Sequence, residues 1–147
     1  MDTAKQVQIL QMAYAGALAD TVLQFSKEGV LARVTERKHA EQMVTGKQRL
    51  TAFGINKPEE VFLKLSELFG CACWEITEKS ADGFVACSGS CMLCAIAKKS
   101  GAPCPCNLYC LDPMEGLVKA VKNDAVYTVE ETLWEAKQCR VRVNIPG

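Results

Sequence analysis

The sequence lacks the features that mark secreted, membrane-spanning and nucleic-acid-binding proteins. Its opening residues, MDTAKQVQIL, hold no basic segment followed by an apolar one, so we expect no secretory signal peptide. No apolar run approaches the roughly 18 residues that a membrane span needs. Basic and acidic residues number 17 each, and no basic run favours nucleic acid or an anionic membrane. We therefore expect a cytoplasmic protein that binds neither nucleic acid nor a membrane.

Histidine is almost absent and aromatic residues make up only 7% of the chain. His39, the single histidine, lies in a charged segment, where a surface residue is expected more often than a ligand or a base. The sequence also has no internal repeat and no low-complexity tail. Its 147 residues, 49% of them hydrophobic, are enough for one ordinary core, so we expect a single domain over residues 1–147.

Cysteine, by contrast, is abundant and concentrated. Six of the nine cysteines lie between residues 87 and 110, in the order Cys87, Cys91, Cys94, Cys104, Cys106 and Cys110. Thiols at this density indicate a disulfide framework, a metal or cluster site, or redox and nucleophilic chemistry. A disulfide framework fits poorly, because such domains are usually small and secreted and because an odd number leaves one thiol unpaired.

A metal or cluster site fits the spacing better. Thiolate is a soft ligand that selects zinc, copper(I) or iron–sulfur clusters, and C-x2-C pairs let two thiolates converge on one ion. Cys91 and Cys94 form such a pair, and Cys87 precedes them by one helical turn, so all three would share one face of a helix. The fourth ligand of a zinc ion or a [4Fe–4S] cluster would then be Cys104, Cys106 or Cys110.

The periodicity of apolar residues predicts helices in the first half of the chain. The predicted helices cover residues 3–28, 30–45 (ended by Gly46), 47–53 and 58–69. The last of these has Pro58 at its start and Gly70 at its end, both of which are favoured there. We expect these helices to form one layer of the fold.

From residue 71 the apolar pattern changes to period two, which is typical of strands. Strands are predicted over 71–78, 83–87, 125–133 and 137–145, paired as two hairpins, with a helix over 112–123 that is capped by Asp112. Cys71 and Cys73 would alternate onto one strand face. The prediction is an α+β fold in which N-terminal helices (1–70) pack on an antiparallel sheet of two hairpins that carries a cysteine-rich insert (71–147).

The second half of the chain resembles two known families. The CLDP segment with Cys110 and Asp112, the helix after it and the terminal VEETLWEAKQCRVRVNI are similar to the L-2-amino-thiazoline-4-carboxylic acid hydrolase-like family and to the vinyl-4-reductase-type small-ligand domain. Thr132 and Cys139 match the terminal hairpin of that pattern. The six-cysteine insert is richer than in either family, which favours an added cluster or metal.

Three functions remain open from the sequence. The first is a cysteine-ligated metal or iron–sulfur protein with a redox, sensing or maturation role, using Cys87, Cys91, Cys94 and a fourth cysteine such as Cys106. The second, implied by the resemblance, is a hydrolase of a small thiazoline-like or amide-like substrate, with Cys110 as nucleophile and Asp112 orienting a proton carrier. The third is a non-enzymatic sensor of a small ligand. A homodimer or a redox partner protein would suit these roles.

Overall fold

The computed structural model of the protein describes all 147 residues. It contains five α-helices, which are α1 (Thr3–Lys27), α2 (Leu31–Phe53), α3 (Pro58–Phe69), α4 (Met92–Ser100) and α5 (Asp112–Val121), and a π-helical turn at Asn107–Leu111. The four strands are β1 (Glu75–Ser80), β2 (Gly83–Ser88), β3 (Val126–Glu131) and β4 (Cys139–Asn144). None of the helices combines the length and the apolar character of a membrane span.

The strands form one antiparallel sheet in the order β1-β2-β4-β3. Each predicted hairpin is present, and the two hairpins join where β2 pairs with β4. The N-terminal helices and the sheet share a core that includes Phe62 of α3 and Val141 of β4. The predicted α+β class is therefore confirmed.

The helix α2 does not end at Gly46, as the sequence predicted, but continues to Phe53. A Cβ atom at Gly46 would lie 2.7 Å from the carbonyl oxygen of Gly116 in α5 and 2.9 Å from Cβ of Ala120. The absence of a side chain therefore lets the two helices cross in close contact. The chain turns instead at Gly54, whose φ of 67° lies in the left-handed region.

The two faces of the sheet differ sharply. In β4, Cys139, Val141 and Val143 are buried against the helices, whereas Arg140 and Arg142 point to the other face. We call these the inner and the outer face. The alternation follows from the period of two residues along a strand, and it confirms the predicted pattern of β4.

The first strand begins four residues later than predicted, at Glu75 instead of residue 71. Ala72 forms only an isolated bridge to Cys91, and the backbone N–H of Trp74 donates to Ser66 Oγ at 3.0 Å. These partners belong to α3 and to the start of α4, so residues 71–74 connect the helices to the sheet and do not extend β1.

Candidate functional site

Five cysteines line one small void between the inner face of the sheet and the helices. Cys91 is the N-cap of α4 and Cys94 lies in its first turn, while Cys106 precedes and Cys110 lies within the π-helical turn. Cys139 opens β4 from the opposite side. The rest of the lining is apolar and consists of Ala72, Trp74, Leu93, Pro105 and Leu111.

Four thiols lie in a row, which we call the thiol chain and which runs Cys91, Cys94, Cys106, Cys104. Cys94 and Cys106 at its centre are hydrogen-bonded, and Cys91 and Cys104 lie beside this pair at the two ends. The Sγ atoms of Cys94 and Cys106 are 3.5 Å apart. All nine cysteines are free. The chain therefore brings a C-x2-C pair against a C-x-C pair.

Hydrogen bonding and burial distribute the protons of this group unevenly. Hydrogen bonds from Cys106 and then from Cys91 lower the pKa of Cys94, because a thiolate there is solvated by two thiol donors. Hydrogen bonding to Cys104 and Cys94 raises the pKa of Cys106, and burial raises the pKa values of Cys110 and Cys139. The geometry thus favours a negative charge on Cys94 between the neutral thiols of Cys91 and Cys106.

Two backbone donors also face the sulfur atoms. The N–H of Cys94 donates to Cys91 Sγ at 3.4 Å, and the N–H of Leu133 donates to Cys139 Sγ at 3.2 Å. Hydrogen bonds of this kind stabilise the thiolate form over the thiol. They are also one of the means by which proteins tune metal-bound sulfur.

Cys87 does not join this group, so the predicted helical face of Cys87, Cys91 and Cys94 is wrong. Cys87 lies in β2 opposite Arg140, and Arg140 Nη1 donates to its Sγ at 3.6 Å. Cys139 pairs with the next residue, Ser88, so Cys87 and Cys139 point to opposite faces. The strand runs to Ser88 and α4 starts only at Met92, so no helix spans the three positions.

Cys71 and Cys73 also differ from the prediction, because they do not share a face. Cys71 lines a cavity among the helices, and Cys73 lines a groove on the outer face together with Cys87. The segment that carries them is not a regular strand, so the expected alternation does not apply. Neither is part of the thiol chain.

The expected environment of Cys110 is not present either. The π-helical turn runs directly into α5, whose N-cap is Leu111 in a helical conformation with no side-chain cap. Asp112 is therefore not the N-cap that the sequence predicted, and no free helix N-terminus lies beside Cys110. Burial raises the pKa of Cys110, which is opposite to the change that an attacking thiolate requires.

His39 is half-buried and makes a specific contact. Its Nε2 lies 2.6 Å from Glu115 Oε1 in α5, so it is more than the surface residue that the sequence predicted. Burial raises the pKa of the nearby Asp112, and the charge of His39 opposes that shift. This polar group joins α2 to α5 and is separate from the thiol chain.

The structure does not contain a preformed metal centre. No group of three or more histidine, cysteine, aspartate and glutamate side chains is placed to hold a metal ion. The four thiols lie in a row and do not surround a common point. All four thiols were among the ligands predicted from the sequence. Cys139, which lies behind them, was not, although the alternation of β4 indicates that Cys139 points inward.

Comparison with known proteins gives no assignment. No family model matches the chain, and it matches neither a curated protein nor a solved structure. The resemblance of the second half to thiazoline-carboxylate hydrolases and vinyl-reductase-type domains therefore stays a prediction.

Proposed function

We propose that the protein binds one thiophilic metal ion, such as Zn²⁺, through the thiol chain Cys91, Cys94, Cys106 and Cys104. The contact between a C-x2-C pair and a C-x-C pair, with Cys94 and Cys106 Sγ 3.5 Å apart, carries this proposal. Zinc–sulfur bonds of about 2.3 Å in a tetrahedron place two sulfur atoms roughly 3.8 Å apart. The central pair therefore already has nearly the separation that one ion requires.

The size of the void favours a single ion over an iron–sulfur cubane. The space between the five cysteines is about 10 Å³, roughly the volume that a single water needs. A cubane binds its thiolates on four different irons, so the void would have to open widely to accept it. Binding one ion requires that Cys104, which does not line the void, turns toward Cys91, Cys94 and Cys106, which do.

The electrostatics of the site also favour a cation. Burial in apolar surroundings penalises thiolates, as the raised pKa values of Cys110 and Cys139 reflect, and an adjacent positive ion removes that penalty. Four cysteine ligands complete a tetrahedral coordination sphere, which is typical of a structural site. Such an ion would tie the start of α4 to the loop before the π-helical turn.

The exposure of Cys104 supports a sensing role for this site. The proposed setting is a reducing compartment such as the cytoplasm. Three thiols of the chain are shielded to differing degrees, whereas Cys104 faces solvent. A peroxide would oxidise the exposed Cys104 thiolate to a sulfenic acid, with hydroxide as the other product, and the loss of this ligand would release the ion. The proposed function is therefore a metal-stabilised thiol sensor.

The test is metal analysis of protein purified without oxygen, together with competition against a chromophoric zinc chelator. We expect one zinc per chain in the wild type and in Cys87→Ser, the control on the outer face, and little metal in Cys106→Ser. Equal zinc content in Cys106→Ser and the wild type would contradict the proposed ligands. Iron with a visible band that dithionite bleaches would establish a cluster instead.

A redox-active dithiol is a second candidate, favoured by the short distance between Cys94 and Cys106. Disulfide sulfur atoms are about 2.05 Å apart, so this pair would have to approach by roughly 1.5 Å. The Cys94 thiolate would attack a small disulfide such as oxidised glutathione and release one thiol, and Cys106 would then displace the second. Metal-free protein that loses two thiols only when both residues are present would support this reaction.

The hydrolase that the resemblance implies remains a separate prediction. Its test is turnover of a thiazoline carboxylate by the wild type and by Cys110→Ala, and full activity of the variant would exclude Cys110 as the nucleophile.

A further inference from the structure

A second cavity lies among the helices beside the thiol chain. Its volume is about 180 Å³, and 13 of its 18 lining residues are hydrophobic. An apolar cavity of ~150 Å³ in another protein binds benzene, so this space suits one small ring or a branched aliphatic group. The cavity shares Trp74, Cys91 and Cys110 with the wall of the thiol void.

The charges that line this helix cavity are of one sign. Arg49 and Lys38, both on α2, are its charged residues, and no aspartate or glutamate lines it. Lys38 pairs with Glu41 at 3.2 Å on the surface. Arg49 takes part in no ion pair, so its N–H groups have no carboxylate partner. Its guanidinium carbon lies 5.8 Å from the centre of the Phe53 ring.

Three further polar side chains that line the cavity also lack partners within the protein. Gln42 Oε1 is buried and receives no hydrogen bond. The hydroxyl groups of Tyr14 and Tyr109, which also line the cavity, make no hydrogen bond to the protein. A partly buried cation and a buried amide oxygen without partners are unfavourable in an apolar wall unless something else binds them.

We propose that the helix cavity binds a small organic monoanion with an apolar body, of the class of a single-ring aromatic carboxylate. Its carboxylate pairs with Arg49, whose fork of N–H donors suits that group. Its ring fills the apolar space near Trp74, and a hydroxyl group on the ring, which benzoate itself lacks, would donate to Gln42 Oε1. The site uses none of the four proposed metal ligands as its anion-binding group, so it stands independently of the metal.

Lys38, Gln42 and Arg49 show why one helix can supply this site. They occur at positions i, i+4 and i+11 of α2, which places them along one face. The close crossing of α2 and α5 at Gly46 and Gly116 fixes that face relative to Met114 and the π-helical turn. The ligand would therefore bind between rigid elements.

Tryptophan fluorescence tests the proposal directly. The chain has two tryptophans, so a Trp134→Phe background leaves Trp74 in the cavity wall as the only reporter. We expect saturable changes on titration with benzoate or phenylacetate, and binding of neutral benzamide weaker by roughly tenfold, because a charged hydrogen bond is lost. Flat titrations with both carboxylates, or equal binding of benzamide, would overturn the proposal.

Variants on α2 locate the anion. Arg49→Gln should weaken benzoate binding by about tenfold, whereas Arg37→Gln, an exposed position on the same helix, should leave it unchanged. A second measurement does not depend on any substitution: benzoate should slow the reaction of Cys71, which lines the cavity, with N-ethylmaleimide and should not affect exposed Cys73. Unchanged affinity in Arg49→Gln, or no protection of Cys71, would contradict the assigned site.

Discussion

Cysteines lie on both sides of the sheet, in opposite chemical settings. On the inner side, Cys94 and Cys106 contact one another in an apolar void, and hydrogen bonds between thiols lower the pKa of Cys94. On the outer side, Cys87 accepts a hydrogen bond from Arg140 and has no thiol partner. A count of cysteines therefore does not define a thiol site, because Cys87 lies in β2 on the outer face whereas Cys94 lies in α4 and Cys106 precedes the π-helical turn on the inner side.

Ion pairs connect the side chains of the outer face, whereas those of the inner face make apolar contacts. Glu78 Oε2 lies 3.2 Å from Arg140 Nη2 and 3.6 Å from Arg142 Nη2, and Glu130 Oε1 lies 3.1 and 3.4 Å from their Nε atoms. Exposed ion pairs of this kind contribute little individually. We therefore expect substitutions on the two faces to differ both in size and in dependence on metal and salt.

Metal-linked stability should show the largest difference between the faces. Zinc at one hundred times its Kd adds about 2.7 kcal/mol to the free energy of unfolding. A chelator should therefore lower the Tm of the wild type and of Cys73→Ser, the control on the outer face, but not the Tm of Cys94→Ser. Thermal unfolding with and without chelator measures the effect, and an equal chelator response of Cys94→Ser and the wild type would remove the distinction between the faces.

Two valines allow the packing of the two faces to be compared without changing any thiol. Val141→Ala should reduce the free energy of unfolding by about 2 kcal/mol, because Val141 is fully buried on the inner face and the change leaves a cavity. Val126, 51% exposed on β3, should change it by less than about 0.5 kcal/mol when replaced by alanine. Urea unfolding measures both values, and equal losses would indicate that the inner face is loosely packed.

The ion pairs of the outer face should give a smaller effect that depends on salt. Glu78→Gln removes the carboxylate shared by Arg140 and Arg142, so we expect a slightly lower Tm at low ionic strength. At high salt the difference from the wild type should vanish, because exposed charges are screened. Thermal melts over a salt series test this, and a loss that persists at high salt would point to packing by the Glu78 side chain.

The smallest expected effect is kinetic. A hydrogen bond from Cys106 lowers the pKa of exposed Cys104 to about 7, so more of it is thiolate at neutral pH than in free cysteine. In the metal-free protein, iodoacetamide should label Cys104 several-fold faster at pH 7 than it does in Cys106→Ala. The advantage should shrink at pH 9, where the thiol is ionised in both proteins. Identical rates at pH 7 would mean that Cys106 does not affect Cys104.

Much of the architecture was predictable because it depends on local patterns. Apolar residues at helical spacing predicted α1 and α3, and alternation predicted the inward set of β4. Gly46 was the main misleading signal, since a glycine inside a helical pattern resembles a stop. Only its contact with the Gly116 carbonyl explains why the helix continues there. The late start of β1 has the same origin, because Trp74 and Ala72 bond to other elements.

The residue types of the candidate site were predictable, but their arrangement was not. The dense segment predicted Cys87, Cys91 and Cys94 with a fourth ligand from Cys104, Cys106 or Cys110, and the structure places Cys91, Cys94, Cys104 and Cys106 in one row. The predicted helical spacing placed Cys87 in the same ligand set. Cys87 does not belong to it, because the chain is a strand at Cys87 and becomes a helix only after Cys91. Arg49 and Gln42 were not predicted as site residues. Their spacing from Lys38 indicates a shared face of α2, but the local sequence does not distinguish a face that borders a cavity from one that borders solvent.

The sequence by itself determined the α+β class, the two hairpins, the inward set of β4 and the concentration of thiols in one segment. Each of these follows from side-chain periodicity or from simple spacing, which depends on neighbours in the chain. The tertiary structure alone decided which thiols meet, where Cys139 lies and which face of α2 borders a cavity. Those outcomes depend on contacts between residues far apart in sequence, through the crossing of α2 with α5 and the pairing of β2 with β4.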